Sequence, residues 1–158
     1  MITHSETPTS RMGDAVALQY ALIPVHGFGI AEATVARMLD PEATGSARML
    51  HAGESLPYGC RPVLLAGTTV YGAVGVEHMV RSWTTALPRP WLVLIADAPA
   101  RPVPAARYRF RALESRLAGT ASVPYLPVLR TVEGAEEALT HRDVQAAAER
   151  LRRQLEGK

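Results

Sequence analysis

The sequence contains one cysteine and no uninterrupted apolar run of about 18 residues. Because Cys60 has no second cysteine to pair with, a disulfide framework and a cysteine-based zinc cage are excluded. The missing apolar run excludes a membrane-spanning helix. Residues 1–13 also lack the apolar core of a signal peptide. We therefore predict a soluble, cytoplasmic protein.

Lysine is nearly absent. Of the 17 basic residues, 16 are arginine, and the one lysine is Lys158 at the end of the sequence. Mechanisms that need an internal lysine, such as a Schiff base or a phosphate-binding ammonium group, are excluded unless the end of the chain reaches the site. The net charge of +2 predicts no strong attraction to nucleic acid by itself.

Apolar runs and helical stripes alternate along the chain. Runs typical of buried strands predict strands at 15–23, 62–66, 91–96 and 122–127, with a short strand at about 47–51. Apolar residues at helical spacing predict helices at about 31–39, 76–83, 106–117 and 144–155. Thr140 and Asp143 predict a capping box at the start of the last helix.

This alternation predicts a three-layer α/β fold, in which a parallel sheet is covered on both faces by helices. We expect residues 1–13 to be a flexible tail and residues 14–158 to form a single domain. Ligands of such sheets bind beyond the carboxyl ends of the strands. The loops that follow the strands are therefore the candidate sites.

The loop after the first strand is His26-Gly27-Phe28-Gly29-Ile30. Glycines there let backbone N–H groups point at an anion held by the helix N-terminus, and His26 either donates to that anion or is structural. A phosphate-binding loop also needs a lysine, which is missing, and a hydroxyl, for which Thr34 is the nearest candidate. Glu32 in the first helical turn would repel a phosphate. The loop is either a plain glycine turn or a variant phosphate site.

Asp97 ends the strongest predicted strand. A carboxylate at this position either holds a magnesium ion in a phosphate-handling site or caps the turn before Pro99. Thr68 and Thr69 are predicted to cap the next helix and to lie beside the first loop. No histidine pair has metal-binding spacing, so no protein-ligated metal site is predicted.

These loops resemble, in their order, those of the MinD/ParA class of P-loop ATPases in a short and degenerate version. The resemblance covers about residues 15–155 and rests on the glycine turn, Thr68-Thr69, the segment Leu94-Ile95-Ala96-Asp97-Ala98-Pro99 and Val123-Pro124-Tyr125. The chain is especially similar to small uncharacterised proteins of actinobacterial integrative and conjugative elements. These carry a His-Gly-rich turn and an Ala-Asp-Ala-Pro motif.

The resemblance implies a P-loop NTPase-like fold, with a flavodoxin-like fold as the alternative. It implies that the backbone of 27–30 faces phosphates, that Asp97 is the catalytic acid of the second nucleotide motif, and that the loop of Tyr125 lies near adenine. ATP and magnesium are the implied cofactors. Ile30 or a neighbour stands where the class has its lysine, so efficient hydrolysis is not expected.

Three functions follow as hypotheses. The first is a non-catalytic relative that binds a protein partner, with DNA and a homodimer as further partners, in DNA partition or conjugative transfer. The second is a nucleotide-binding ATPase in which an arginine replaces the lysine. The third is a small enzyme on a flavodoxin-like sheet. The arginines of 101–116 and of the last helix either contact phosphates or form solvated helix faces with interleaved glutamates.

Overall fold

The computed structural model of the chain describes residues 17–157. The predicted tail at 1–13 lies outside the described residues, as do positions 14–16 and Lys158. One sheet of five parallel strands forms the centre of the fold, in the order β2-β1-β3-β4-β5. The strands are β1 (Tyr20–Pro24), β2 (Ala47–Met49), β3 (Arg61–Gly67), β4 (Trp91–Ile95) and β5 (Gly119–Val123).

Helices cover both faces of this sheet, so the predicted α/β fold with a parallel sheet is confirmed. The helices are α1 (Ile30–Leu39), α2 (Val70–Arg81), α3 (Pro104–Ala112), α4 (Ala135–Ala138) and α5 (Arg142–Glu156), with 3₁₀ turns at Glu114–Arg116 and Pro127–Arg130. Helices α1, α4 and α5 lie on one face, and α2 and α3 on the other. Among the described helices, none combines the length and apolar character needed to cross a bilayer.

Two apolar cores lie on the two sides of the sheet because successive side chains of a strand point to opposite faces. In β3, Val63 and Leu65 pack in the core beneath α1 and α5, whereas Leu64 and Ala66 pack beneath α2 and α3. All four side chains are buried. This double burial explains why the central strands are continuously apolar in sequence.

Several predicted boundaries are wrong. Strand β1 starts at Tyr20 rather than residue 15, and helix α3 ends at Ala112 rather than near 117. Strand β5 covers 119–123 rather than the predicted 122–127. Its first residues are not apolar in sequence because it is an edge strand with Thr120 and Ser122 exposed. It ends before Pro124, which has no N–H group to donate to the sheet.

The predicted capping box at the last helix is also wrong. The N-cap of α5 is His141, and the Thr140 hydroxyl donates instead to the carbonyl of Glu137. The Asp143 carboxylate accepts a hydrogen bond from the N–H of its neighbour Val144.

The strand order places a crevice at one edge of the sheet. Strand β2 lies on one side of β1, and β3 lies on its other side. The connections through α1 and α2 therefore run in opposite directions along the sheet, and the two helices lie on opposite faces. The order 2-1-3-4-5 is that of flavodoxin-like doubly wound sheets, in which ligands bind where the strand order reverses. We call the edge at which all five strands end the carboxyl edge, and the opposite one the amino edge.

Gly72 lets the start of α2 approach the end of β3. A Cβ atom at this position would lie 2.2 Å from the carbonyl oxygen of Gly67, which is backbone and cannot move aside independently. The same turn is fixed by Thr69, whose hydroxyl accepts a hydrogen bond from the N–H of Gly72 at 2.9 Å. The close approach therefore requires glycine.

Gly72→Ala is expected to lower the free energy of unfolding by about 1–3 kcal/mol, because the added methyl group forces α2 away from β3. Urea denaturation measures this. Gly27→Ala is the matched control, since a Cβ there meets no atom within 4 Å, and it is expected to be neutral or slightly stabilising. Equal stability of the two variants would contradict the close-approach argument.

Asp40 organises the connection from α1 to β2. Its side chain is buried and accepts hydrogen bonds from the Thr44 N–H, the Thr44 hydroxyl and the Gly45 N–H, each at 2.8 Å. Burial raises the pKa of Asp40, but these hydrogen bonds to the carboxylate outweigh it, so the pKa lies below its ordinary value.

Because the folded-state pKa is lowered, the charge of Asp40 stabilises the fold above its ordinary pKa of 3.8, and this contribution is lost as the pH falls through the lowered value. Asp40→Asn is expected to cost about 1–2 kcal/mol near pH 7 and progressively less below pH 4. Urea denaturation across this pH range measures the difference. Glu42→Gln, an exposed carboxylate nearby, is the control; a pH-independent loss in Asp40→Asn would contradict the assignment.

Candidate functional site

Four of the predicted site residues line one cleft at the carboxyl edge. They are Ile30, Thr34, Asp97 and Tyr125. The cleft has a volume of about 210 Å³ and lies between α1, the ends of β4 and β5, and the 3₁₀ turn after β5. The structure therefore brings together residues of α1 and of the loops that follow β4 and β5.

The floor of this cleft is apolar. Its apolar side chains come from α1, β4, β5 and the 3₁₀ turn: Ile30, Val35, Met38, Ile95, Val123, Leu126 and Leu129. Polar groups are few, and Asp97 and Arg130 among them are exposed at the rim. Such a lining suits a flat apolar or aromatic group with polar substituents at its edge.

Sequence reasoning missed the contribution of the 3₁₀ turn, which supplies Leu129 and Arg130 to the cleft. Leu126 and Leu129 are three residues apart around Pro127, a spacing and a residue typical of the first turn of a helix. This spacing, together with the proline, was the sequence signal that could have predicted the turn.

The glycine turn after β1 does not form an open anion cradle. Gly29 is the N-cap of α1, and its N–H donates to the Glu32 carboxylate at 2.6 Å. Gly27 and Gly29 are not among the glycines with left-handed backbone, so this turn lacks the left-handed residue of an anion-binding nest. The chain's own carboxylate therefore occupies one of the donors that a phosphate would use, and it interacts with the helix dipole in the place of an anion.

Thr34 is buried within α1. Its hydroxyl donates to the carbonyl of Ile30 at 2.7 Å, one turn earlier in the same helix. Thr34 thus lines the cleft, but its hydroxyl proton is used in a hydrogen bond to the backbone.

His26 lies away from the cleft, against α2. Its ring stacks on Tyr71 with centroids 4.4 Å apart, and its Nε2 atom is buried without a hydrogen-bond partner in the described residues. Gly75 makes room for the ring, since a Cβ there would lie 2.5 Å from His26 Cε1. His26 therefore anchors the turn to α2 and does not meet Thr34 or Asp97. Phe28, between the two glycines, is 62% exposed.

Asp97 is joined to the neighbouring strand. The Thr68 hydroxyl, at the end of β3, donates to its carboxylate at 3.2 Å. Thr69 caps α2, as the sequence predicts. Within residues 17–157 no group of three or more histidine, cysteine, aspartate or glutamate side chains is placed to hold a metal ion. A magnesium ion at Asp97 would therefore need most of its ligands from water and substrate.

Comparisons with known proteins give no relative of this chain. No family model, no curated protein and no solved structure matches it. No relative therefore assigns a role to these residues.

Glu32→Ala is expected to lower the free energy of unfolding by about 1 kcal/mol, because the Gly29 N–H and the N-terminal dipole of α1 lose their carboxylate. Glu32→Gln is the matched control: its amide oxygen still accepts the hydrogen bond, so the loss should be smaller. Chemical denaturation at low ionic strength measures both. No loss in Glu32→Ala would show that the carboxylate does not cap the helix.

Proposed function

We propose that this chain is a non-catalytic relative of the MinD/ParA ATPases that binds a protein partner through its carboxyl edge, in DNA partition or conjugative transfer. The observation that carries the proposal is the exposure of large apolar side chains at this edge. Phe28 follows β1, Val70 and Tyr71 follow β3, and Val103 follows β4. Exposed apolar side chains that cluster in one region mark interaction sites.

One aromatic ring of this proposed surface is held in place by a stacking contact. Tyr71 is 75% exposed, yet its ring stacks on His26, which fixes the turn that carries Phe28. Aromatic side chains held in place lose little conformational entropy when they are buried by a partner. Such rings are typical of the residues that dominate binding energy at interfaces.

Phosphoryl transfer is not supported by the same edge. It depends on positive charge and N–H donors aimed at the phosphates. Here the Gly29 N–H is bonded to Glu32, and the described residues contain no lysine. The start of α1 therefore supplies a negative charge where catalysis needs a positive one.

A second candidate is nucleotide binding without an ordinary phosphate loop. The cleft of about 210 Å³ favours it, because its apolar floor, Tyr125 and Asp97 suit an aromatic ring with hydrogen-bond donors at its edge. The link to the MinD/ParA class rests on the order and sequence of the loops. The strand order is that of the flavodoxin-like alternative.

The partner proposal is tested by site-specific photo-crosslinking of the full chain in the cells that produce it. A photoreactive residue replaces Phe28 in one variant and Tyr71 in a second. Tyr58 is the matched control, because it is a fully exposed aromatic residue in the loop before β3, on the amino edge. The expected result is the same protein adduct from positions 28 and 71, and none from position 58.

The adduct should also weaken when Val103, on the same edge, is replaced by serine, because the partner then buries less apolar surface. Adducts of equal yield from all three positions, or none from positions 28 and 71, would contradict a docking surface at the carboxyl edge.

A further inference from the structure

A groove on the amino edge is lined, among the described residues, by three arginines and by no acidic side chain. It has a volume of about 530 Å³ and is lined by the last two residues of α2, the loop that leads into β4, and the 3₁₀ turn before β5. Its arginines are Arg81, Arg89 and Arg116, and all three are exposed. It lies at the opposite edge of the sheet from the cleft described above.

The three arginines are free of ion pairs within residues 17–157. The nearby acid Glu77 is paired with Arg109 at 3.1 Å, and Glu114 precedes the turn residues Ser115 and Arg116 without lining the groove. Ordinary solvated arginine faces on helices are interleaved with glutamates. This groove therefore concentrates positive charge that no ion pair among residues 17–157 neutralises.

The groove also presents an aromatic ring and hydroxyl groups. Trp83 is half-buried, and its indole N–H donates to the carbonyl of Pro88 at 3.0 Å, which fixes the ring. The loop is further held by the Leu87 N–H, which donates to the carbonyl of Thr84 at 3.2 Å. Thr84, Thr85 and Ser115 add hydroxyls to the lining. The site is thus formed by a loop whose shape is set by internal hydrogen bonds.

We propose that this groove binds a single-stranded nucleic acid, with Arg81, Arg89 and Arg116 on successive phosphates and a base stacked on Trp83. Arginine pairs with phosphate through several N–H donors, and aromatic rings beside basic residues are the usual platform for unpaired bases. A duplex does not offer an unstacked base face to the indole ring. The assignment goes beyond the partner surface at the carboxyl edge and does not depend on it.

The test is fluorescence anisotropy of a labelled, mixed-sequence DNA strand of about 12 nucleotides, titrated with the full chain. Three phosphate contacts predict that the logarithm of the binding constant falls with the logarithm of salt concentration with a slope of about −2. Arg81→Gln, Arg89→Gln and Arg116→Gln should each weaken binding and reduce the slope by about 0.7. Trp83→Leu should weaken binding about tenfold with the slope unchanged.

Arg150→Gln is the matched control. Arg150 is an exposed arginine on α5, on the other face of the sheet. Its replacement removes the same charge at a position outside the groove. Thermal unfolding of every variant verifies that the fold is retained. The proposal is overturned if the wild type does not bind, if Arg150→Gln weakens binding as much as the groove variants, or if the triple arginine variant binds normally. Equal binding of the matched duplex, or equal competition by polyglutamate, overturns the single-strand assignment.

Discussion

One hydrogen bond decides how the carboxyl edge of this protein can be used: the Gly29 N–H donates to the carboxylate of Glu32. The N-terminus of a helix that follows a strand and a glycine turn is ordinarily a ready anion site, because its backbone N–H groups and its dipole favour negative charge. In this chain the favourable anion is a side chain of the same helix. The helix start therefore already carries a carboxylate of its own, with apolar side chains exposed on the same edge.

Other predicted site residues at this edge also make their contacts within the chain. His26 packs on α2 through its stack with Tyr71, Thr34 donates to its own helix backbone, and Asp97 is bonded to Thr68. Groups that serve phosphate chemistry elsewhere are here engaged within the chain. Large apolar side chains are exposed beside the charged groups at the rim of the cleft, Asp97 and Arg130, and for this reason we propose binding rather than hydrolysis at this edge. The groove at the opposite edge holds three arginines, Arg81, Arg89 and Arg116, whereas the lining of the cleft includes one, Arg130.

The fold was largely predictable because β1, β3 and β4 are buried on both faces, and strands of this kind are continuous apolar runs in the sequence. The edge strand β5 was misplaced because only Ala121 and Val123 are buried in it, and such a weak alternation is lost beside Pro124-Tyr125-Leu126.

The cleft could be expected from the rule that ligands bind at strand ends, but its floor could not. Met38 and Leu129 reach it through the packing of α1 and a 3₁₀ turn. The spacing around Pro127 indicates the turn, but no local pattern shows that α1 and this turn meet at one cleft. The direction of the His26 ring was equally hidden, since it depends on the space that Gly75 leaves on α2.

The central claim is that Glu32 takes the place of a phosphate at the start of α1. Isothermal titration calorimetry of the full chain with ATP and magnesium, and separately with ADP, tests it most directly. The account predicts no saturable heat for the wild type at millimolar nucleotide. Saturable binding that is lost when the turn is altered by Gly29→Pro, in a variant that remains folded, would contradict it, because the turn would then be holding phosphates despite the carboxylate beside it.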